Sequence, residues 1–244
     1  YDQDGTGFNN TINLLEIMEE KKEILIYENP LEKKNDIHGF ILEGKADITF
    51  ENGCMRMKNV LDNDLGQKAN YVLWCPEEFP ENVKIQWEFK PVTDHGLCIL
   101  FFAAKGKQGE DIFDPGLAPR TGEYPLYHSG DINAFHVSYF RRKEPDERAF
   151  HTCNLRKSYG FHLVAQGADP LPDAKDADGF YKISVVKDHD LITFSVNDLC
   201  VFTYQDDGKT YGSPLKGGKI GFRQLAPLSR FDARAYRNLM VYEL

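Results

Sequence analysis

From Val83 to Lys90 the chain reads Val-Lys-Ile-Gln-Trp-Glu-Phe-Lys, apolar at every odd position and polar at every even one. A period of two sends the odd side chains to one face of an extended segment, which is the pattern of a half-buried β-strand. Runs of the same kind recur at 24–28, 46–51, 54–58, 71–75, 96–103, 133–142, 151–156, 161–166, 181–187, 191–196, 199–204, 219–225 and 233–242. Between two of them, Val196-Asn197-Asp198-Leu199 sets two residues that tolerate positive φ where a two-residue hairpin needs them. Many short strands with turns between them predict an all-β fold, an antiparallel β-sandwich. One short N-terminal helix is expected at 12–22, where Leu14, Leu15, Ile17 and Met18 precede charged residues; it reads equally as a loosely docked extension.

No repeat or shift in composition divides the chain, so the expected organisation is an N-terminal extension, 1–22, and one sandwich, 23–244. Acidic residues number 38 and basic ones 29, for a net charge of −9, which argues against a broad basic surface for nucleic acid. No stretch approaches the roughly 20 apolar residues of a bilayer span, so no membrane partner is expected. The five cysteines, Cys54, Cys75, Cys98, Cys153 and Cys200, are scattered and form no C-x-x-C pair. That pattern predicts free thiols and a cytoplasmic location rather than a disulfide framework.

Two long segments, 105–131 and 167–178, carry Gly, Pro and charge and read as elaborate loops. In them and the strands beside them stand Gly109-Glu110-Asp111-Ile112-Phe113-Asp114-Pro115, the run from Tyr127-His128-Ser129-Gly130-Asp131 to Ala134, and Ser138-Tyr139-Phe140-Arg141-Arg142-Lys143. With Trp74-Cys75-Pro76, Cys153 to Ser158, Gly167 to Pro172 and Lys219 to Gln224, these runs closely resemble the YesU-like family of bacterial proteins over roughly 24–244. The resemblance implies a concanavalin-like jelly roll and a context of plant pectin (rhamnogalacturonan) utilisation. It brings no catalytic residues. The E-x-D-x-x-E strand pattern of laminarinase-type jelly rolls is missing here.

The chain also lacks G-x-S-x-G, G-x-x-x-x-G-K-[ST], G-x-G-x-x-G and H-E-x-x-H, so serine hydrolase, nucleotide and zincin chemistries are not expected. Alternation at 133–142 places Phe135, Val137 and Tyr139 inward and turns His136, Ser138, Phe140 and Arg142 to the other face. At 151–156 it turns Thr152, Asn154 and Arg156 outward. Together with Arg223, these residues would line a cationic groove inside an acidic protein, and guanidinium forks suit the carboxylates of uronic acid sugars. An oligosaccharide is therefore the expected partner. Trp74 reads as a sugar-stacking platform or as core.

Three mechanisms fit these residues. A lyase would use Arg142 and Arg156 to neutralise a uronate carboxylate, with His136 or His128 as base and Asp131 to orient His128. A hydrolase would use Glu110 as proton donor with Asp131 or Glu88 as its partner. A lectin-like module would bind without turnover. Glu110, Asp111 and Asp114 read as turn chemistry or as oxygen ligands for Ca²⁺; no other cofactor is expected.

Overall fold

A computed structural model describes residues 22–142, 151–225 and 233–244. The helix expected at 12–22 lies outside these residues apart from Lys22. Fifteen strands follow in order: β1 (Ile24–Asn29), β2 (Ile41–Gly44), β3 (Ala46–Glu51), β4 (Cys54–Asn59), β5 (Tyr71–Trp74), β6 (Val83–Pro91), β7 (Gly96–Gly106) and β8 (Ile132–Arg142). Then come β9 (Thr152–Lys157), β10 (His162–Ala168), β11 (Tyr181–Asp188), β12 (Leu191–Val196), β13 (Leu199–Gln205), β14 (Lys219–Leu225) and β15 (Ala233–Glu243). One short helix, α1 (Pro125–His128), interrupts the long segment between β7 and β8.

The strands form two antiparallel sheets. One has the order β13-β12-β11-β6-β15-β4-β3, with β1 also paired to β15; the other has the order β10-β9-β8-β7-β14-β5-β2. β6 keeps its alternation along its whole length: Val83, Ile85, Trp87 and Phe89 are buried while the residues between them are half-buried. They meet Leu100, Phe102, Val137, Tyr139, Leu155 and Phe222 of the second sheet in the main core. Asn197 and Asp198 both take positive φ, and the turn joins β12 to β13 in the expected hairpin.

The second sheet is buried on both sides along β7. The run Leu97 to Ala104 does not alternate, and its odd members Ile99 and Phe101 belong to a separate apolar cluster with Trp74, Ile112, Tyr127 and Ile132. The 107–131 segment is therefore a packed cover over part of the sheet's outer face. Glu43 holds it down, accepting hydrogen bonds from Arg120 Nη2 (2.7 Å), Trp74 Nε1 (2.9 Å) and Tyr127 Oη (2.8 Å). Gly122, at φ +99°, lies where a Cβ would stand 2.0 Å from the Asn70 carbonyl oxygen, so this close approach requires glycine.

Described cysteines are all free, four of them buried and Cys200 exposed. No helix among the described residues is long and apolar enough to cross a membrane.

Candidate functional site

Register carries one line of side chains across the outer face of the second sheet. Gln166 pairs with Asn154, Asn154 with Ser138, Ser138 with Ile99, and Ile99 with Arg223. The neighbouring line pairs Arg156 with His136 and His136 with Phe101. Alternation thus brings Ser138, Asn154, Arg156, His136 and Arg223 onto one face, as the sequence predicts. Asn154 Oδ1 accepts from Gln166 Nε2 at 2.7 Å, and Ser138 Oγ is 3.5 Å from the Asn154 carbonyl.

Tyr124, just before α1, is the residue that gathers the site. Its ring lies against the Arg223 guanidinium (4.4 Å), its hydroxyl is 3.1 Å from His136 Nδ1, and Phe161 packs edge-on to it at 5.3 Å. His128 stands over the same ring at 5.0 Å, and Arg156 lies 3.6 Å from the Phe161 ring centre while donating to the Phe161 carbonyl. Burial, helped by His128, Arg223 and Arg156, holds His136 well below the usual imidazole range. Its Nε2 faces Ser158 Oγ at 2.9 Å, and that hydroxyl also accepts from the Ala134 N–H and faces the Ala134 carbonyl. Every group is satisfied when His136 donates from Nε2 and Tyr124 donates to Nδ1, which makes His136 a neutral structural link. Burial also lowers His128, with Arg223 and Arg156 adding to the effect, and pushes Tyr124 up to about 12.

Arg223 is the unusual member. It is 1% exposed, its Nη2 donates to Gln67 Oε1 (3.0 Å) and the Gly122 carbonyl (3.3 Å), and its Nε and Nη1 have no partner. No ion pair among the described residues joins Arg223 or Arg156 to a carboxylate. Burial, partly offset by Tyr124 and Tyr127, brings the Arg223 guanidinium down to about 10. A buried cation without a counter-ion is costly, and an anionic ligand relieves that cost.

Several predicted residues lie elsewhere. Arg142 is not in the groove. Phe140 takes φ +48° at a bulge, so Tyr139 and Phe140 are both core, the alternation breaks, and Arg142 turns to Asp169 (3.2 Å), Asp173 (2.9 Å) and the Leu171 carbonyl (2.8 Å). Trp74 is on the outer face beneath the 107–131 cover, where its ring packs on Phe101 and Tyr127, so of its two expected readings it is core. Glu88 belongs to β6 in the opposite sheet, where it holds Arg237 and Asn238. Glu110 Oε2 accepts from the Gln108 N–H within a turn, and Asp131 Oδ2 accepts from the Ala118 N–H. His128 Nδ1 meets Ser129 Oγ (2.8 Å), so Asp131 does not orient it.

Asp111 accepts from Phe113 N–H and pairs with Lys219, and Asp114 accepts from Gly116 N–H. Among the described residues no group of three or more His, Cys, Asp or Glu is placed to hold a metal ion. Tyr124 and Gln67 escape the sequence reading because they lie outside every strand-period run, and Phe161 because the 161–166 run begins one residue before β10 does, leaving Phe161 in the turn. The available signal was the unbroken apolar run of β7, since a strand with no polar face must be covered on both sides.

A two-sheet antiparallel sandwich with a polar, cationic outer face defines a lectin-like β-sandwich. The chain belongs to the family described as a domain of unknown function, DUF1961, whose profile matches residues 24–241. It is 50% identical over 223 residues to uncharacterized protein YesU of Bacillus subtilis (strain 168), covering 91% of this chain and 97% of that one. A crystal structure of a Bacillus subtilis protein of unknown function with galectin-like fold matches at TM-score 0.85 and 50% identity, over 91% of this chain and 97% of that one. The same sandwich recurs at low identity in a legume lectin-like domain from Entamoeba histolytica (TM-score 0.58, 10% identity, 89% and 97% covered). It recurs again in the kappa-carrageenase of Pseudoalteromonas carrageenovora, solved with an oligosaccharide (TM-score 0.55, 11% identity, 91% and 95% covered).

Proposed function

We propose that this protein binds acidic, uronate-containing oligosaccharides on the outer face of the β10-β9-β8-β7-β14 half-sheet. The observation that carries this reading is Arg223, a buried guanidinium with two unpartnered nitrogens and no carboxylate partner. A sugar carboxylate hydrogen-bonded to the half-buried Arg156 would bring the missing negative charge to this pair of cations. Asn154, Ser138 and Gln166 present amides and a hydroxyl to the sugar hydroxyls. Lectin-like and carrageenan-degrading neighbours with the same sandwich support a saccharide ligand, and the resemblance to the YesU-like family supports pectin fragments. Calorimetric titration with trigalacturonate tests it: saturable binding weakened at least about thirtyfold in Arg223→Met is expected, and equal binding by that variant would refute it.

A second reading is favoured by Tyr124 and His128, which face each other beside the two arginines. In β-elimination, neutral His128 takes the C5 proton of a uronate whose carboxylate is held by Arg223 and Arg156. The electrons form the C4–C5 double bond, the C4–O bond breaks, and the Tyr124 hydroxyl, turned away from His136 Nδ1, donates its proton to the leaving oxygen. No water is consumed. A rise in the ultraviolet absorbance of an unsaturated uronate product, abolished in Tyr124→Phe, would establish the lyase. Product heavier by one water would point to a hydrolase, for which Glu110, Asp131 and Glu88 are dispersed over three places in the fold. Binding with no change in the sugar leaves the lectin-like function.

A further inference from the structure

A cleft of about 920 Å³ opens at the rim of the sandwich, where the ends of β7, β8 and β9 meet the loop at 210–217. None of the residues discussed above for sugar binding lines it. Its volume falls within the roughly 300–1,000 Å³ of small-molecule sites. Two aromatic rings stand at its lips: Tyr159 is 51% exposed and Tyr211 36% exposed. Both rings are held in place. The Tyr211 ring is stacked on His162 at 4.4 Å, and Lys107 Nζ lies 3.8 Å from the centre of the Tyr159 ring.

The wall behind Tyr211 is fixed by a buried ion pair. Lys157, 1% exposed, holds Asp206 at 2.7 Å and donates to the Gly212 carbonyl at 3.0 Å. The floor is shaped by the break in register between Phe102 and Lys105 of β7, where Ala103 takes φ +51°. A non-glycine residue in that region is strained and persists where the surrounding structure demands it. Above this floor Asn133 lines the cleft with its Oδ1 buried and unpaired. The glutamates lining the cleft already have partners, Glu78 with Lys105 and Glu81 with Lys216.

We infer that this rim cleft is a second saccharide-binding site, distinct from the sheet face, in which a pyranose ring stacks on Tyr211 or Tyr159 and directs hydroxyls to Asn133. The apolar face of a pyranose matches a phenol ring, and an unpaired amide oxygen accepts from a sugar hydroxyl. The hairpin between β9 and β10 joins the two sites: Phe161 packs on Arg156 at the sheet face, and Tyr159 faces the cleft. One longer oligosaccharide engaging both would gain by effective concentration.

The test uses the full chain, with trigalacturonate and a neutral galactotriose as probes in calorimetry. The Arg223→Met background disables the sheet face, so the cleft is read alone. Residual saturable binding of either probe is expected there. It should weaken roughly tenfold with Tyr211→Ala or Tyr159→Ala and persist with Tyr211→Phe, which keeps the ring. Thermal melts confirm that each variant is folded. Loss of all binding in Arg223→Met, residual binding indifferent to both tyrosines, or no binding of either probe by the native chain would overturn the inference. Binding that ignores Arg223 but falls with Tyr211→Ala would instead sustain the cleft and refute the sheet-face reading.

Discussion

Replacing Arg223 with Met should make the protein more stable and less able to bind an acidic sugar. Lowering the guanidinium from 12.5 to about 10 corresponds to about 3 kcal/mol against the buried charge. Met keeps much of the length and the contact with the Tyr124 ring, while Gln67 Oε1 and the Gly122 carbonyl each lose a donor worth about 1 kcal/mol. The balance is a gain of about 1 kcal/mol, or about 2–4 °C in Tm for a domain of this size. Binding should move the other way, because removing one member of a buried charge pair costs about 2–5 kcal/mol, which is at least about thirtyfold in Kd. Urea unfolding followed by tryptophan fluorescence reads the first effect and calorimetry the second. A variant destabilised by more than about 2 kcal/mol, with acidic and neutral sugars weakened alike, would show Arg223 to be part of the scaffold and refute the reasoning.

Arg142→Ala should leave the 0%-exposed Asp169 side chain without its cation and cost about 3–5 kcal/mol of stability, measured by chemical denaturation, with no selective loss for acidic sugars. His136 stays neutral in the fold while the unfolded chain takes a proton near the ordinary imidazole value. Its stabilising contribution is therefore complete above about pH 6.5 and declines on acidification by up to about 1.4 kcal/mol per pH unit until the folded-state group itself titrates. Denaturation midpoints across that range should fall in the native chain and flatten in His136→Gln. Glu110→Gln should cost about 1 kcal/mol or less, through one turn hydrogen bond, and leave saccharide affinity unchanged in calorimetry.

The period of two at Val83–Pro91 and the Asn197-Asp198 turn specify a half-buried strand and a hairpin by local rules alone, and both are present. The same alternation placed Ser138, Asn154, Arg156 and His136 on one face, because register in β8 and β9 is unbroken there. It failed at Arg142, since one bulged residue, Phe140, reverses the face of everything beyond it. Trp74 and Tyr124 depend on how the 107–131 segment folds back over the sheet. That is a tertiary event governed by the hold of Glu43 on Arg120 and the approach of Gly122 to Asn70, each joining segments far apart in sequence. Glu88 and Glu110 had the right chemistry, but which sheet or turn holds them is set by topology rather than residue type.

The central claim is that this acidic chain keeps an uncompensated cation buried in order to receive a carboxylate. Its most direct test is calorimetric titration of the native protein with trigalacturonate and with the same trisaccharide after its carboxylates are reduced to alcohols. The account predicts that the acid binds at least about tenfold more tightly and that this advantage shrinks as salt is raised. Equal affinities for the two forms, or no binding of the acid, would contradict it.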